Sequence, residues 1–372
     1  MKVLHVLGAL RRSGAEQMLL CTSAYQMSRG IDQQVMSLAA PSESVLAGRF
    51  QSVGFEVEHL PVSSRFRFPL EFWRELKLMG PDCVHIHAER LSLITQLCGR
   101  LAGKPVVRTI HATFEFKGLL RYRKTLERKI SALAGVQFVA ISRSVQANEE
   151  LRFRTKPALI ENWFDDQFFR LPTEAERRNA RRDLDLHDGE TAIALVGNCA
   201  QVKNHVLLFD ALAQLDQPPF TVLHVGDDSD ESAAPSERLA ASRASNTHTV
   251  RFLGPRDDVR EILWASDLYV MCSLAEGAGI AAMEAAATGI RCILTDVPGL
   301  RDLSGVIGAE PGIPLEKTLL ASALSSQAPW DRSGEQGADQ AAAVKARHGA
   351  QRGAEEYAGL YYARLTRGRR KG

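Results

Sequence analysis

The sequence predicts an α/β protein built from two doubly wound parallel sheets that face each other across a cleft. The chain has 372 residues, which is enough for two domains of ordinary size. Short apolar runs alternate with helical stretches through both halves, a pattern typical of parallel sheets covered by crossover helices. The segments that begin at Val3 and at Ala192 each show an apolar strand, a glycine-containing loop and a helix. We therefore expect one Rossmann-like domain in residues 1–168 and a second in residues 169–353.

The composition is typical of a soluble globular protein and argues against several classes of function. Hydrophobic residues make up 45% and charged residues 24% of the chain, and the net charge of +2 is too small to indicate a nucleic-acid partner. No apolar run approaches the ~20 residues that span a bilayer, and the first apolar run is too short for a signal peptide. The six cysteines are scattered without a C-x-x-C pair, which favours reduced, buried thiols over disulfides or a zinc site. A cytoplasmic protein is expected.

The first domain opens with a predicted strand at residues 3–7, a loop over residues 8–16 and a helix that continues to about Met27. The glycines of this loop do not follow the G-x-G-x-x-G spacing, which argues against a dinucleotide cofactor. The remaining runs are short and continuously apolar, as in strands buried on both faces of a sheet. They predict strands at residues 35–39, 56–60, 83–87, 105–111 and 138–142.

Histidines mark two of these strands. His85 and His87 are two residues apart and share one face of a strand, so a metal pair is conceivable. No third ligand is evident in the sequence, and hydrogen-bonded structural histidines are the favoured interpretation. His111 ends the next strand, and ligands bind at the carboxyl ends of the strands in such sheets. We therefore expect His111 to line a binding site.

The second domain is predicted to begin with a polar linker and helix in residues 171–190. A strand at residues 192–196 then leads into a loop over residues 197–205 and a helix. Later strands are predicted at residues 220–225, 250–254, 268–271 and 292–295.

The stretch that follows residues 268–271 has the properties of an anion site. Gly277 and Gly279 predict a tight turn in which backbone approaches a ligand closely. Residues 280–287 are rich in alanine and predict a helix that Gly289 ends. The first turn of a helix offers unpaired N–H groups and a positive dipole end, which suits a phosphate.

Two carboxylates flank this predicted anion site. Glu276 precedes the turn and Glu284 lies inside the helix, with seven residues between them. A carboxylate is a poor ligand for a phosphate, but it accepts hydrogen bonds from sugar hydroxyls well. The stretch therefore predicts a diphosphate at the turn with hydroxyl-rich groups on either side, which describes a nucleotide sugar.

Glu-Gly-x-Gly followed by this second glutamate resembles the donor-site signature of retaining GT-B glycosyltransferases, especially glycosyltransferase family 4. The resemblance implies that Glu276 contacts the donor sugar and that Glu284 contacts the ribose hydroxyls. The strand ending at His111 is similar to one whose histidine contacts the donor sugar in that family. The stretch around Gly14 is similar to a loop beside the donor phosphates and the acceptor, and Leu253 belongs to the loop that contacts the base.

The resemblance also indicates which cation of the protein binds the diphosphate. Lys203 matches a phosphate-binding lysine, whereas Asn198 stands where the family commonly has an arginine. Arg256, Arg11 and Arg12 are candidates to replace that charge. The implied catalytic residues are Glu276 and His111, and the implied donor-binding residues are Gly14, Asn198, Lys203, Asn204, Leu253, Arg256, Gly277, Ala278, Gly279, Ile280 and Glu284.

No cofactor or metal is expected. Residues 228–230 spell D-x-D, the metal motif of a different glycosyltransferase fold, but they follow a mid-domain strand and are interpreted as a turn. A lysine and a helix terminus at the diphosphate would stabilise the leaving group without a metal. The resemblance implies retention of configuration by attack on the same face, without an assured protein nucleophile.

The acceptor is expected to meet the first domain. Residues 1–165 carry 23 Lys and Arg against 15 Asp and Glu, so this half is basic. Residues 65–77 and 114–129 interleave cations with aromatic and aliphatic side chains, which fits either solvated helix faces or a surface that rests on anionic lipid. The family often uses lipid-linked acceptors, and in GT-B proteins the last helix, here residues 354–372, packs back onto the first domain.

The sequence therefore predicts a retaining glycosyltransferase of cell-surface polysaccharide or glycolipid synthesis, with UDP-sugars favoured over GDP-sugars. The acceptor is expected to be a glycan or a lipid-linked glycan, and the enzyme to be cytoplasmic or peripheral on the inner membrane face. Two alternatives stay open: a sugar-nucleotide-binding protein without transferase activity, indicated by Asn198, and a nucleotide-sugar epimerase of the same fold.

Overall fold

The computed structural model describes residues 1–216, 219–230, 232–307, 312–326, 330–332 and 334–369. Its contacts divide the chain into two compact units. The first unit contains Met1–Phe164 and the C-terminal helix that begins at Ala350, and the second unit is Asp165–Gly349. Among the described residues, no helix combines the length and the apolar character needed to cross a bilayer.

The first unit contains a seven-stranded parallel sheet in the order β3-β2-β1-β4-β5-β6-β7. Its strands are β1 (Lys2–Leu7), β2 (Asp32–Ser37), β3 (Glu56–His59), β4 (Cys83–Ile86), β5 (Val106–Ile110), β6 (Gln137–Ala140) and β7 (Ala158–Leu159). Its helices up to the linker are α1 (Gly14–Ser28), α2 (Ala47–Ser52), α3 (Phe68–Met79), α4 (Ser92–Leu101), α5 (Gly118–Leu133) and α6 (Arg143–Asn148). The chain order reverses between β1 and β4.

The two faces of this sheet differ in chemistry. Leu4, Val84 and Ile86 belong to an apolar core that also contains Phe72 and Leu76 of α3. Full burial of each such side chain contributes roughly 1.5–3 kcal/mol, so this face supplies much of the unit's stability. On the other face the buried side chains include histidines and a threonine.

Two details of the first unit differ from the sequence prediction. The second strand begins at Asp32 rather than at residue 35, because the amides of Gln33 and Gln34 are buried and hydrogen-bonded, with Gln34 Nε2 donating to Met79 O over 3.1 Å. The first loop is also shorter than predicted. Gly14 is the first residue of α1 and not part of the loop.

The second unit contains a five-stranded parallel sheet in the order β10-β9-β8-β11-β12. Its strands are β8 (Thr191–Val196), β9 (Phe220–Val225), β10 (Thr249–Phe252), β11 (Leu268–Met271) and β12 (Arg291–Leu294). Its helices are α7 (Glu174–Asp183), α8 (His205–Leu212), α9 (Ala234–Ala244), α10 (Arg260–Ala265), α11 (Ile280–Ala287), α12 (Leu300–Ile307), α13 (Lys317–Ser325) and α14 (Glu335–His348). The chain order reverses between β8 and β11.

The C-terminal helix α15 (Ala350–Arg369) packs against α1 of the first unit. Gln26 Nε2 donates a hydrogen bond to Ala354 O over 2.9 Å. Tyr357 and Tyr361 of α15 are buried, and their hydroxyl groups lie on the polar face of the first sheet.

Candidate active site

The loops that follow β8 and β11 meet at the carboxyl edge of the second sheet. The chain order reverses between these two strands, and such a reversal is where open α/β sheets bind ligands. The two loops are joined directly. Leu274 N donates to Val202 O over 2.8 Å, and Asn204 Nδ2 donates to Cys272 O over 3.2 Å.

A lysine and a glutamate from these two loops are in contact. Lys203 Nζ lies 2.6 Å from Glu276 Oε1, and Ser273 Oγ donates to the same oxygen over 2.8 Å. Both side chains of the ion pair are partly exposed, at 28% for Lys203 and 14% for Glu276. The sequence motifs that predict a diphosphate cation and a sugar-binding carboxylate therefore lie at one point of the fold.

The glycine turn leads directly into α11. Gly279 has φ of 67°, which favours glycine, and a Cβ there would lie 2.6 Å from Leu300 Cδ2. Ala278 is buried, and Ile280 is the first helical residue. Ala282 N donates to Gly279 O over 2.9 Å, so the N–H groups of the first turn that remain for an anion beside Gly277 are those of Ile280 and Ala281.

Glu284 lies one turn further along α11. Burial, with a smaller contribution from the neighbouring Asp165 carboxylate, raises the pKa of Glu284 to about 8. The carboxyl group is therefore protonated near neutral pH. In that form it can both donate and accept hydrogen bonds, which suits a pair of vicinal hydroxyls.

The side chain of Asn198 is hydrogen-bonded to the loop that follows β9. Its Oδ1 accepts a hydrogen bond from Asp227 N over 3.0 Å. The two loops approach so closely that a Cβ on Gly226 would lie 1.9 Å from Gly197 O. The side-chain oxygen at the position where an arginine is common in the family is thus engaged in holding the loop that carries Lys203.

Among the three arginines suggested as replacements for that charge, Arg256 lies in the second unit. Leu253 N donates to His224 O over 2.8 Å, which fixes the loop after β10 beside β9. Arg256 is exposed on this loop, and within the described part of the chain it makes no ion pair. Arg11, in contrast, pairs with Glu43 at 3.3 Å in the first unit.

The D-x-D segment, residues 228–230, lies in the loop that turns from β9 into α9. Asp228 pairs with Arg238, and this contact lowers the pKa of Asp228. Asp230 Oδ1 accepts from Ser232 N over 2.9 Å and from Ala233 N over 3.3 Å, just before α9 begins. Both carboxylates therefore have local partners that explain their positions.

The first unit carries a chain of histidines near the carboxyl edge of its sheet. His5 Nδ1 lies 3.2 Å from His87 Nε2, and His87 Nδ1 lies 3.0 Å from His111 Nε2. Burial lowers the pKa of His5 and of His111 to about 3 and the pKa of His87 well below its ordinary value. These imidazoles are therefore neutral at physiological pH.

His85 is bonded at both ring nitrogens. Its Nδ1 lies 2.6 Å from the Tyr361 hydroxyl, and its Nε2 lies 2.7 Å from Thr109 Oγ1. Thr109 Oγ1 lies in turn 2.7 Å from the Tyr357 hydroxyl. His5 and the two tyrosines were not identified from the sequence. They come from the first strand and the last helix, and no linear motif joins them.

A large cavity of the second unit lies elsewhere. It has a volume of about 750 Å³, and its lining includes Thr191, Phe220, Leu268 and Arg291. These four residues are at or beside the first residues of their strands, so the cavity is at the amino edge of the sheet. The contact between Lys203 and Glu276 at the carboxyl edge is thus separate from this cavity.

Two family profiles match the chain. The profile described as Glycosyltransferase Family 4 matches residues 12–168, and the profile described as Glycosyl transferases group 1 matches residues 190–324. Together they cover most of the sequence, including six of the seven strands of the first sheet and all five of the second.

Curated relatives agree with these matches. EpsF of Bacillus subtilis (strain 168) is 28% identical over 323 residues, 79% of each chain. The UDP-Gal:alpha-D-GlcNAc-diphosphoundecaprenol alpha-1,3-galactosyltransferase of Escherichia coli is 26% identical over 242 residues, 62% of each chain. The D-inositol 3-phosphate glycosyltransferase of Rhodococcus jostii (strain RHA1) is 27% identical over 322 residues, 77% of this chain and 71% of the relative.

Solved structures share the fold. A glycosyltransferase from Rickettsia africae aligns with a TM-score of 0.83 at 18% identity, covering 98% of both chains. Anabaena Alr3699/HepE, solved in complex with UDP and glucose, aligns with a TM-score of 0.81 at 17% identity, covering 98% of this chain and 100% of that one. The fold is GT-B, and the chain belongs to the family 4 glycosyltransferases, enzymes that use nucleotide-sugar donors.

Proposed function

We propose that this chain is a retaining, metal-independent glycosyltransferase that takes a sugar from a UDP-sugar and adds it to a lipid-linked glycan. The observation that carries the proposal is the contact between Lys203 and Glu276 at the reversal of the second sheet, next to the first turn of α11. A cation, a carboxylate and unpaired helix N–H groups at one point are what a diphosphate sugar requires.

In the proposed donor complex, the diphosphate binds at the N-terminus of α11. Lys203 exchanges its contact with Glu276 for a phosphate oxygen, and Glu276 becomes free to accept a hydrogen bond from a sugar hydroxyl. The bond between the anomeric carbon and the diphosphate then breaks, and the acceptor hydroxyl bonds to that carbon on the same face and passes its proton to the departing phosphate oxygen. Charge that develops on the leaving diphosphate is stabilised by Lys203 and the helix N-terminus, and such preorganised electrostatics is usually the largest catalytic contribution.

His111 is proposed to act as a neutral hydrogen-bonding group for the sugar. Its Nε2 contacts His87, so Nδ1 remains for a hydroxyl. Because burial lowers the pKa of His111 to about 3, its imidazole is neutral at physiological pH and can exchange hydrogen bonds with a hydroxyl without carrying a charge.

Two comparisons support UDP as the nucleotide and a lipid-linked acceptor. The Escherichia coli relative is named for transfer from UDP-Gal to a sugar on diphosphoundecaprenol. Alr3699/HepE has been solved with UDP-glucose. On this basis a polyprenyl-diphosphate sugar is the first acceptor to test.

The surface of α5 supports contact with a membrane. Leu119, Tyr122, Leu126 and Leu133 recur along one side of this helix and are exposed by 87%, 76%, 58% and 89%. Exposed aromatic and aliphatic side chains flanked by cations are typical of helices that lie in the headgroup region of anionic bilayers.

The structure of α5 shows that one of its cations was wrongly placed on the membrane-facing surface by the sequence interpretation. Lys124 was grouped with the membrane-facing cations, but it is 12% exposed and pairs with Glu89 at 3.1 Å and with Glu127 at 2.9 Å. It stabilises the unit internally. Arg121 and Lys129 are exposed on α5 and remain candidates for lipid headgroups.

Transfer assays test the proposed activity. Purified protein would be incubated with labelled UDP-glucose, UDP-galactose, GDP-mannose or ADP-glucose, each with and without a short-chain polyprenyl-diphosphate sugar. The proposal predicts acceptor-dependent transfer from a UDP-sugar and a product whose anomeric configuration by NMR equals that of the donor. UDP binding without transfer or hydrolysis would indicate a binding protein, and conversion of the free sugar nucleotide would indicate an epimerase.

A further inference from the structure

Four side chains of the type that bind transition metals are buried together in the second unit. Cys199 lies in the loop after β8, His205 begins α8, His224 lies in β9 and Glu237 lies in α9. Their residues are exposed by 1%, 4%, 1% and 3% respectively. None of them belongs to the donor contacts proposed above.

The donor atoms of three of these residues are close enough to share one ion, and His205 contacts one of the three. The ligand atoms of Cys199, His224 and Glu237 all lie within 4.8 Å of one another. Glu237 Oε1 is 3.1 Å from His205 Nδ1 and 3.2 Å from His224 Nε2. A tetrahedral zinc site with ligand distances of ~2.0–2.3 Å places neighbouring donor atoms about 3.3–3.7 Å apart, so small side-chain adjustments suffice.

The burial of one member of this cluster, His224, is not explained by its hydrogen bonds. Among the residues that the structure describes, neither ring nitrogen of His224 has a hydrogen-bond partner of acceptable geometry, although the side chain is buried and Glu237 Oε1 lies 3.2 Å from Nε2. A buried polar group without a partner is uncommon in folded proteins, because it has lost its water and gained nothing in return. A bound cation would satisfy the lone pair of this imidazole.

We propose that Cys199, His224 and Glu237 bind one Zn²⁺ ion, with His205 as the fourth ligand. One thiolate, two imidazoles and a carboxylate in tetrahedral arrangement are donors that zinc prefers. On binding, the Cys199 thiol releases its proton to solvent, and the thiolate and carboxylate together balance the charge of the dication.

The ion would join the loop after β8 to β9, α8 and α9. That loop also carries Lys203, so the metal would fix the backbone beside the donor site without touching the donor. The sequence gives little indication of such a site, because its ligands come from four elements and include no C-x-x-C pair. The inference does not depend on the proposed activity, because it is tested without nucleotide or acceptor.

Cobalt titration of the full-length, metal-free protein tests the site. Co²⁺ occupies zinc sites, and a thiolate ligand gives it a ligand-to-metal charge-transfer absorption in the near ultraviolet. We expect one Co²⁺ per chain, a thiolate charge-transfer band and its loss when Zn²⁺ is added. A wild-type protein that binds no Co²⁺, or binds it without this band, overturns the proposal.

Matched variants locate the ion. Cys199→Ser should abolish the band and the rise in Tm that Zn²⁺ gives the wild type. Cys292→Ser, which changes another buried cysteine of the same unit, should retain both. Retention of the band in Cys199→Ser would contradict the assignment. Cobalt that binds without the band and is lost in His87→Gln would instead indicate the cluster of His5, His85 and His87.

Discussion

Lys203 and Glu276 form an ion pair, with 2.6 Å between Nζ and Oε1, that joins the two loops at the reversal of the second sheet. In the free protein, the Lys203 ammonium group and the Glu276 carboxylate therefore neutralise each other's charge. A phosphate that binds Lys203 must compete with Glu276, and a sugar hydroxyl that binds Glu276 gains from the departure of Lys203. The contact thus couples the diphosphate and sugar parts of the proposed donor site.

Removing the charge of Glu276 should separate binding from turnover. Glu276→Gln no longer holds Lys203, so we expect UDP to bind at least as tightly as to the wild type. Transfer should fall by roughly tenfold or more, because a hydrogen bond from a sugar hydroxyl to a charged acceptor contributes about 1.5–3 kcal/mol. Calorimetry with UDP and initial rates with the UDP-sugar measure the two effects. Loss of UDP binding together with unchanged turnover would reverse the assigned roles.

Glu284 should make stability depend on pH. The folded state keeps a proton on this carboxyl up to a pKa of about 8, whereas the unfolded chain releases it near its ordinary pKa of 4.5. Its contribution to the free energy of unfolding is therefore complete below pH 4.5 and is lost as the pH rises to 8, by at most about 1.4 kcal/mol per pH unit.

Glu284→Gln cannot ionise and should gain stability relative to the wild type across that window in urea denaturation at several pH values. Asp165→Asn is the matched variant, because it removes the neighbouring charge and should shift the wild-type dependence to lower pH. A constant difference between wild type and Glu284→Gln from pH 5 to 8 would show that the pKa is not raised. Glu284→Ala, which removes both the donor and the acceptor, should weaken UDP binding through the ribose, whereas equal affinity would exclude that contact.

The D-x-D turn should be dispensable for catalysis. Asp228 and Asp230 have partners in Arg238 and in backbone N–H groups, so their substitution by Asn should change transfer less than twofold. EDTA present during the assay should leave the initial rate unchanged. A rate that falls in EDTA and returns with Mn²⁺, in wild type but not in the Asn variants, would establish a catalytic metal at this turn.

The exposed face of α5 should bind anionic vesicles. We expect co-sedimentation with phosphatidylglycerol-containing liposomes that decreases with added salt, since each cation near the surface contributes about 1 kcal/mol. Substituting Arg121, Arg123 and Lys129 by Ser should reduce it strongly. The same change in charge at Arg49, Arg143 and Lys156, which are exposed elsewhere on the first unit, is the control. Equal recovery with neutral and anionic vesicles would indicate ordinary solvated helices and a soluble acceptor.

Local sequence patterns were sufficient to predict most of the strands and helices of the fold. Buried parallel strands are short apolar runs, and each glycine-rich loop between a strand and a helix marks a turn that the structure contains. The start of β2 was missed, because Gln33 and Gln34 look exposed in sequence and become buried only through tertiary hydrogen bonds. Lys124 looks exposed in the sequence, but its side chain is only 12% exposed. Its carboxylate partner Glu89 lies on another segment of the chain, so the local sequence does not reveal the ion pair.

For the candidate site, sequence motifs named individual residues but not their contacts. Lys203 and Glu276 belong to separate motifs, and their ion pair depends on the strand order of the sheet. The hydrogen bond between His85 and Tyr361 joins residues 276 positions apart, which no local periodicity can reveal. Tertiary contacts of this kind decide which histidines are neutral and which nitrogen atoms stay free.

Titration calorimetry of UDP tests the central claim most directly, namely that the loops at the reversal of the second sheet hold the diphosphate through Lys203. The wild type should bind UDP, and Lys203→Ala should weaken the affinity roughly tenfold to a hundredfold, since a hydrogen bond to a charged group contributes about 1.5–3 kcal/mol. Lys317→Ala, which removes an exposed lysine of α13 in the same unit, should bind UDP as the wild type does. UDP affinity that is equal in all three proteins would contradict the account.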